Sequence, residues 1–374
     1  MALGLAMCER AGPMERMNEL GFYTLAGNPE SPRELLDEVR RGEALGFGSV
    51  FISERFNVKE AVTLSGAAGA VSSEIGIATA ATNQNTRHPI VTAAYAMTMH
   101  KLTGGRFSLG LGRGIPLLFG MYGLPPITDA QIEDFVGLMR RLWRGQMIAG
   151  HDGPVGRFPL LVLDPAFDEH IPMTFTAFTR RSLELAGRLF DAVVLHTFFT
   201  DETLARCVQT VKCAAEAAGR DPAAVRVWSC FATVGDHLPE PLRLKKTVGR
   251  LATYLQAYGD LLVRTNRWDP AVLERFRADP LVGGFRGAID AKATTAELEQ
   301  IATLLPAEWL APAAMGSSAR CVEKIRGQFD LGADGVILHG ATPDELAPIV
   351  AEYRRSRPAG RFARLVPNPA AAGC

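Results

Sequence analysis

The chain has 374 residues, 47% hydrophobic and 21% charged, with 40 Lys plus Arg set against 40 Asp plus Glu. That mix excludes a disordered chain and holds enough apolar material for a full core. Zero formal net charge removes the basic excess that a nucleic-acid binder shows.

In chain order, short β-branched or aromatic runs alternate with longer amphipathic ones. Residues 1–17 read as a disordered extension, because Met1–Arg16 is too short and too interrupted for a signal-peptide core. GFYTL (21–25) reads as strand one. Ser31-Pro32 opens a helix, with Ser as N-cap, Pro at the first helical position and Glu34 completing a capping box, and the helix ends near Gly46. SVFIS (49–53) is strand two, 60–72 a helix, and IGIATAAT (75–82) strand three. His88-Pro89 starts a helix to about Leu102, and FSLGLG (107–112) is strand four. A helix runs from about Asp129 to Trp143, and Asp152-Gly153 marks a hairpin inserted within 146–165. MTFTA (173–177) and AVVLH (192–196) are strands five and six, with helices to Phe190 and Ala218. VRVWSCFATV (225–234) is strand seven. GVILH (335–339) is strand eight, with a last helix to about Tyr353.

Strict alternation argues for an α/β fold with a parallel sheet. Asp191-Ala-Val-Val-Leu-His196 echoes Asp334-Gly-Val-Ile-Leu-His339, and eight such units favour a closed (β/α)8 barrel over a doubly wound sheet. Residues 18–356 then form one domain. The excess at about 235–317 is a mostly helical insertion (241–258, 270–277, 294–304) between strand seven and helix seven, a cap over one end of the barrel or an oligomer contact. Residues 357–374 read as a basic tail, either solvated or partner-binding. Cys8, Cys207, Cys213, Cys230, Cys321 and Cys374 show no C-x-x-C and no zinc spacing, which fits reduced thiols in a cytoplasm. No apolar run reaches 18 residues, so no membrane span is expected.

Chemistry in such a barrel sits at the C-terminal ends of the strands. That gives Tyr23, Thr24, Glu54, Arg55, Ala80 to Asn83, Gly112 to Gly114, Phe178 to Arg180, His196, Thr197, His339 and Gly340. Gly is 37 residues, above the usual ~7%, and its densest cluster is Gly104 to Gly114. Either its backbone N–H groups approach an anion or a flat ring, or the glycines serve packing. A dinucleotide fingerprint fails at Ile115. Ala177-Phe-Thr-Arg-Arg-Ser182 joins strand five to a helix whose N-terminus is either an anion site or an ordinary cap. Glu54-Arg55 either positions a ligand or relays a proton, or forms a structural ion pair. His196 and His339 occupy matching strand ends, as ligands of the site or as buried structural groups. No histidine pair has metal-ligand spacing, and no G-x-S-x-G elbow exists.

Three segments, Glu43-Ala-Leu-Gly-Phe-Gly-Ser-Val-Phe-Ile-Ser-Glu54, Arg87-His-Pro-Ile-Val-Thr-Ala-Ala94 and Leu102-Thr-Gly-Gly-Arg-Phe-Ser-Leu-Gly-Leu-Gly-Arg-Gly114, resemble the bacterial luciferase-like flavin-dependent oxidoreductases. Ala186–Leu195 and Ala218–Pro222 add later landmarks. The resemblance runs from about 18 to 356 and is closest to the actinobacterial branch that uses the deazaflavin coenzyme F420. It implies a barrel with an insertion between strand seven and helix seven, and FMN or coenzyme F420 at the mouth. It also implies a cis peptide near Ala80-Ala81 behind the cofactor ring, and phosphate contacts at Gly112, Arg113, Gly114 and Ala177, Phe178, Thr179, Arg180. Tyr23, Ala80, Ala81, Thr82 and Thr197 complete the expected cofactor site, with Glu54 and Arg55 as the catalytic candidates. The chain departs from the family where Glu54-Arg55 replaces Asp-His, and where Ile115 replaces the acid of a sugar-phosphate dehydrogenase. The expectation is a cytoplasmic, homodimeric oxidoreductase passing a hydride between coenzyme F420 and a small-molecule substrate, with no metal, nucleic-acid or membrane partner. An FMN-dependent monooxygenase is the alternative, and a cofactor carrier with little turnover a third reading.

Overall fold

The structure, a computed structural model, describes residues 15–371. Eight parallel strands close into a barrel: β1 (Met17–Tyr23), β2 (Phe47–Ile52), β3 (Gly76–Thr79), β4 (Phe107–Leu111), β5 (Met173–Thr176), β6 (Ala192–Val194), β7 (Arg226–Gly235) and β8 (Gly335–His339). They pair in chain order, and β8 pairs back onto β1, with Leu20 opposite Val336. The helices α1 (Glu34–Ala44), α2 (Ala61–Val71), α3 (Pro89–Thr103), α4 (Asp129–Leu142), α5 (Arg180–Leu189), α6 (Asp201–Ala217), α7 (Ser318–Asp330) and α8 (Pro343–Arg355) follow their strands. Every predicted strand is present. The hairpin pairs Ile148–Gly153 with Gly156–Leu161. Residues 236–317 supply the excursion, and its short strand Ala314–Gly316 pairs in parallel beside the C-terminal end of β7.

Alternation along each strand divides the core in two. Phe22, Val50, Ile52, Ile77, Leu109, Phe175, Val193 and Leu338 face the helices, while Phe51, Ala78, Ala192, Val194, Trp228 and Ile337 fill the barrel. The interior is crowded enough to require missing side chains. A Cβ on Gly21 would lie 2.6 Å from the Phe51 ring, and one on Gly335 would lie 2.4 Å from Trp228. Part of the glycine excess therefore makes room for two large rings inside the barrel.

Three expectations are corrected. The N-terminal boundary moves: Met17 already belongs to β1, and Arg16 donates to Phe47 O at 2.9 Å. The remainder of the expected extension, residues 1–14, lies outside the described residues, as do Cys8 and Cys374. The first turn of α1 is tighter than the expected box. Ser31 Oγ accepts from Arg33 N at 3.2 Å and Glu34 Oε1 from Ser31 N at 2.8 Å, while Glu34 N bonds Ser31 O.

The third correction is larger. The tail packs onto the barrel rather than lying in solvent. Arg357 pairs with the fully buried Glu19 at 2.6 and 2.9 Å, and Phe362 packs on Phe329. Asn368, Pro369 and Ala370 then seal the N-terminal end of the barrel. Pro369 O accepts from Trp228 Nε1 at 2.7 Å, and Asn368 O from the buried Arg226 at 2.8 Å. Asn368 Nδ2 in turn donates to Gly105 O and Phe107 O. Basic composition suggested solvation, but these arginines and carbonyls meet partners that lie far away in sequence.

Candidate active site

With one end sealed, the C-terminal mouth is the open end of the barrel, and it gathers most of the predicted residues. The peptide Ala80-Ala81 is cis, as the resemblance implied. Around it the chain is tied on both sides: Ala80 N donates to Ile52 O, Glu54 N to Ala81 O, Thr82 N to Gly110 O and Gly112 N to Thr82 O. A Cβ on Gly112 would come within 2.6 Å of Thr176 Oγ1 and 2.9 Å of Ala81 Cβ, and one on Gly110 within 1.6 Å of Thr79 O. These two glycines therefore serve close packing of β4 against the end of β3. Gly114 is required differently, by a φ of +70°.

Glu54 is buried and joined to Arg87 at 2.8 Å; it also accepts from Thr82 Oγ1, and Arg87 reaches Glu60 as well. Both carboxylates engage this arginine, so Glu54 forms an ion pair at the rim. Its partner, however, is Arg87 rather than Arg55. Arg55 instead donates to Gly27 O at 2.5 Å, across the mouth opening between β1 and β2.

On the phosphate side, β4 pairs with β5, which brings Gly112–Gly114 beside Ala177–Thr179. Thr179 caps α5 by accepting from Ser182 N at 3.3 Å. Arg113 donates to Ile127 O at 2.6 Å and pairs with Asp129. Burial alone would raise the Asp129 carboxyl, but Arg181 and Arg113 together hold it below its ordinary value. Arg180 is not gathered into the mouth. Its side chain is 86% exposed, pairs with Glu184 and lines an outer groove of about 890 Å³ beside α6.

Opposite the cis peptide lies an aromatic wall. Tyr23 stands 5.5 Å from the His339 ring, and Phe178 stands 4.7 Å from His196. Tyr254 and Tyr258, one helical turn apart in the insertion helix Arg250–Asn266, stack at 5.5 Å over His196. The backbone leaves helical geometry at Tyr258 (φ −155°, ψ 37°), which re-aims that side chain. Thr197 Oγ1 lies 3.2 Å from Cys230 Sγ, whose thiol burial pushes up to about 12.

Hydrogen bonding fixes the His196 tautomer. Nδ1 lies 2.9 Å from Thr197 O, and a carbonyl only accepts, so Nδ1 carries the proton. Burial lowers this histidine to about 4, so the ring is neutral and Nε2 accepts from Tyr258 OH at 2.8 Å. Burial, then Arg250 and His196, likewise keep His339 neutral, and its Nδ1 is buried without a partner among the described residues.

Several site residues carried little signal in the sequence. Lys59 sits alone in a loop, yet it is 5% exposed and donates to Thr24 O and Leu25 O at 3.1 Å. Arg87 and Arg250 are single residues in helical or loop sequence. Tyr254 and Tyr258 did carry a signal, an i, i+4 spacing on one helical face, but the sequence did not say which face met the barrel. Among the described residues no His, Cys, Asp or Glu group has metal-binding geometry, and no helix is long and apolar enough to cross a membrane.

Comparison with known proteins places this geometry. A family profile described as luciferase-like monooxygenase matches residues 17–335. A 5,10-methylenetetrahydromethanopterin reductase of Methanolobus tindarius is 27% identical over 195 residues, covering 50% of this chain and 58% of that protein. A phthiodiolone/phenolphthiodiolone dimycocerosates ketoreductase of Mycobacterium sp. (strain JLS) is 30% identical over 223 residues, covering 56% and 54%. The chain thus spans about half the length of these curated relatives. In fold, it resembles the solved coenzyme F420 dependent tetrahydromethanopterin reductase of Methanopyrus kandleri, with a TM-score of 0.73 at 18% identity, covering 89% of this chain and 96% of that one.

Proposed function

The chain belongs to the luciferase-like monooxygenase family, and from that premise we propose that it is an oxidoreductase passing a hydride between coenzyme F420 and a small organic carbonyl or alcohol. The observation that carries the reading is the Tyr258–His196 pair. It is a neutral, tautomer-defined proton relay within the aromatic wall of the mouth. The relatives named as a reductase and a ketoreductase, and the fold's likeness to a coenzyme F420 dependent enzyme, favour the deazaflavin.

The residues fit such a group. The cis peptide Ala80-Ala81 is held between the ends of β2 and β4, and Tyr23 and Phe178 supply aromatic faces. Gly112 to Gly114, Arg113, Ala177 and Thr179 would hold its phosphate, with Ala80, Ala81, Thr82 and Thr197 along the ring. When bound, the deazaflavin supplies a two-electron hydride site that reacts poorly with oxygen.

The chain's own residues manage the proton. In alcohol oxidation, the hydroxyl proton passes to Tyr258 Oη as the Tyr258 proton passes to His196 Nε2; carbonyl reduction would run the relay backwards only after His196 Nε2 takes a proton from solvent. Burial of His196 opposes its charging, so the relay favours return of the proton. The insertion, by covering the mouth with Tyr254 and Tyr258, excludes water from the reacting atoms.

Fluorescence titration of the purified chain tests the reading. Micromolar quenching by coenzyme F420 and none by FMN is expected. The reverse result would favour an FMN-dependent monooxygenase, the second reading, which the family's description supports.

A further inference from the structure

The rim between β1, β2 and the insertion carries cations that the proton relay does not use. Arg55 and Lys59 are drawn to one place by reciprocal backbone bonds, Arg55 N to Lys59 O at 2.9 Å and Lys59 N to Arg55 O at 2.8 Å. Arg250 arrives from the insertion, just after the π-helical turn Lys245–Gly249. Gly27 links the set. Its carbonyl accepts from Arg55, and its missing Cβ would stand 3.7 Å from the Arg250 guanidinium.

These charges are under-matched. Arg250 pairs with the buried Asp290 at 2.8 Å. Glu38, whose charge acts on Lys59, spends its hydrogen bonds on Thr24 Oγ1 and Leu25 N at 2.5 and 2.7 Å. Arg55 meets only a carbonyl. The Nε donors of Arg55 and Arg250 are both buried without a partner among the described residues, and Lys59 spends two of its three N–H bonds on carbonyls. Burying like charges and leaving donors unmade is costly unless something compensates. Burial, then Arg250, lowers Arg55 despite Asp290 nearby, and burial, then Arg55, brings Lys59 down to about 7 despite Glu38. Both costs fall when one anion enters, because a guanidinium fork and an ammonium suit a carboxylate or a phosphate oxygen.

We propose that Arg55, Lys59 and Arg250 bind the carboxylate or phosphate of an anionic organic substrate, an inference that rests on the mouth being the reaction site. The anion is held on the β1–β2 side of the mouth, away from the cofactor-phosphate residues of β4 and β5. Its organic body then extends toward Tyr254 and Tyr258.

Two experiments on the full chain test this. In the first, calorimetric titration of the cofactor-free protein uses inorganic phosphate in one arm and acetate in the other. Saturable binding in at least one arm, weakened about tenfold or more in Arg55→Gln, is expected, and the tighter arm identifies the anion class. No binding in either arm, or binding unchanged in both Arg55→Gln and Lys59→Gln, overturns the proposal. In the second, turnover of carboxylate substrates is compared with that of their methyl esters. The acids are expected to lead through KM, and Arg55→Gln to shrink the gap while the affinity for coenzyme F420 stays unchanged. Equal KM for acids and esters, or loss of cofactor affinity in Arg55→Gln, assigns the cluster elsewhere. Absence of coenzyme F420 binding in the wild type would defeat the hydride-transfer reading alone, because the calorimetric arms need no cofactor.

Discussion

Tyr258 and His196 divide one task between them. The imidazole is oriented because its Nδ1 donates to Thr197 O, and the phenol donates to its Nε2. Tyr258→Phe removes the relay atom and little else. Turnover is expected to fall by about 10²–10⁴-fold with coenzyme F420 affinity unchanged, measured by steady-state kinetics and fluorescence titration. Arg180→Ala touches only an exposed pair with Glu184, so cofactor affinity and stability should both stay within about 0.5 kcal/mol. Lys59 gives a pH signature. Burial and Arg55 bring its ammonium down from 10.5 to about 7 in the folded chain. Between those values the unfolded chain holds the proton and the folded chain does not, so stability rises with pH across that interval and is lost as pH falls through it. Melting temperature is expected to climb from pH 7 to 9 in the wild type and to stay flatter in Lys59→Met.

At the scale of elements, the contact of β3 with β4 depends on two absent side chains. A methyl on Gly112 presses on Thr176 and Ala81, and one on Gly110 strikes the backbone of Thr79. Gly112→Ala is expected to cost about 1–3 kcal/mol, the range for overpacking, and to weaken cofactor binding. Gly110→Ala should cost more, since a carbonyl in a sheet yields less than a hydroxyl rotor; urea denaturation ranks the two. The strands themselves were readable because β-branched runs and repeated helix–strand units are local patterns, and the cis peptide followed from the family resemblance. The reason for the glycines was not readable: an anion cradle and a tight strand contact ask for the same residue. Nor was the rim of Arg55, Lys59 and Arg250. It assembles residues almost two hundred positions apart, and no spacing within one segment announces it. Glu54 shows the same limit, since its neighbour in sequence was Arg55 but its partner in space is Arg87.

Across the whole molecule, the two ends of the barrel do different work. The mouth holds the buried, under-matched Arg55, Arg250 and His339, and the base is closed by Asn368 to Ala370 through backbone carbonyls. Carbonyls belong to every residue, so composition read this segment as solvated and missed its role. Deleting residues 366–374 leaves the Arg226 and Trp228 donors without those partners, at about 1–3 kcal/mol each. The shortened chain is expected to melt several degrees lower yet retain hydride transfer in the cold, because the mouth is untouched. Thermal denaturation alongside a low-temperature assay checks both halves. The same closure has a bearing on biosynthesis. On a ribosome, β1 emerges early but must wait for β8 before its second edge is paired, and the base stays open until Asn368 has left the exit tunnel. The nascent chain therefore carries an unpaired edge of β1 until β8 has been made, and an unsealed base until Asn368 to Ala370 can fold back onto Arg226 and Trp228.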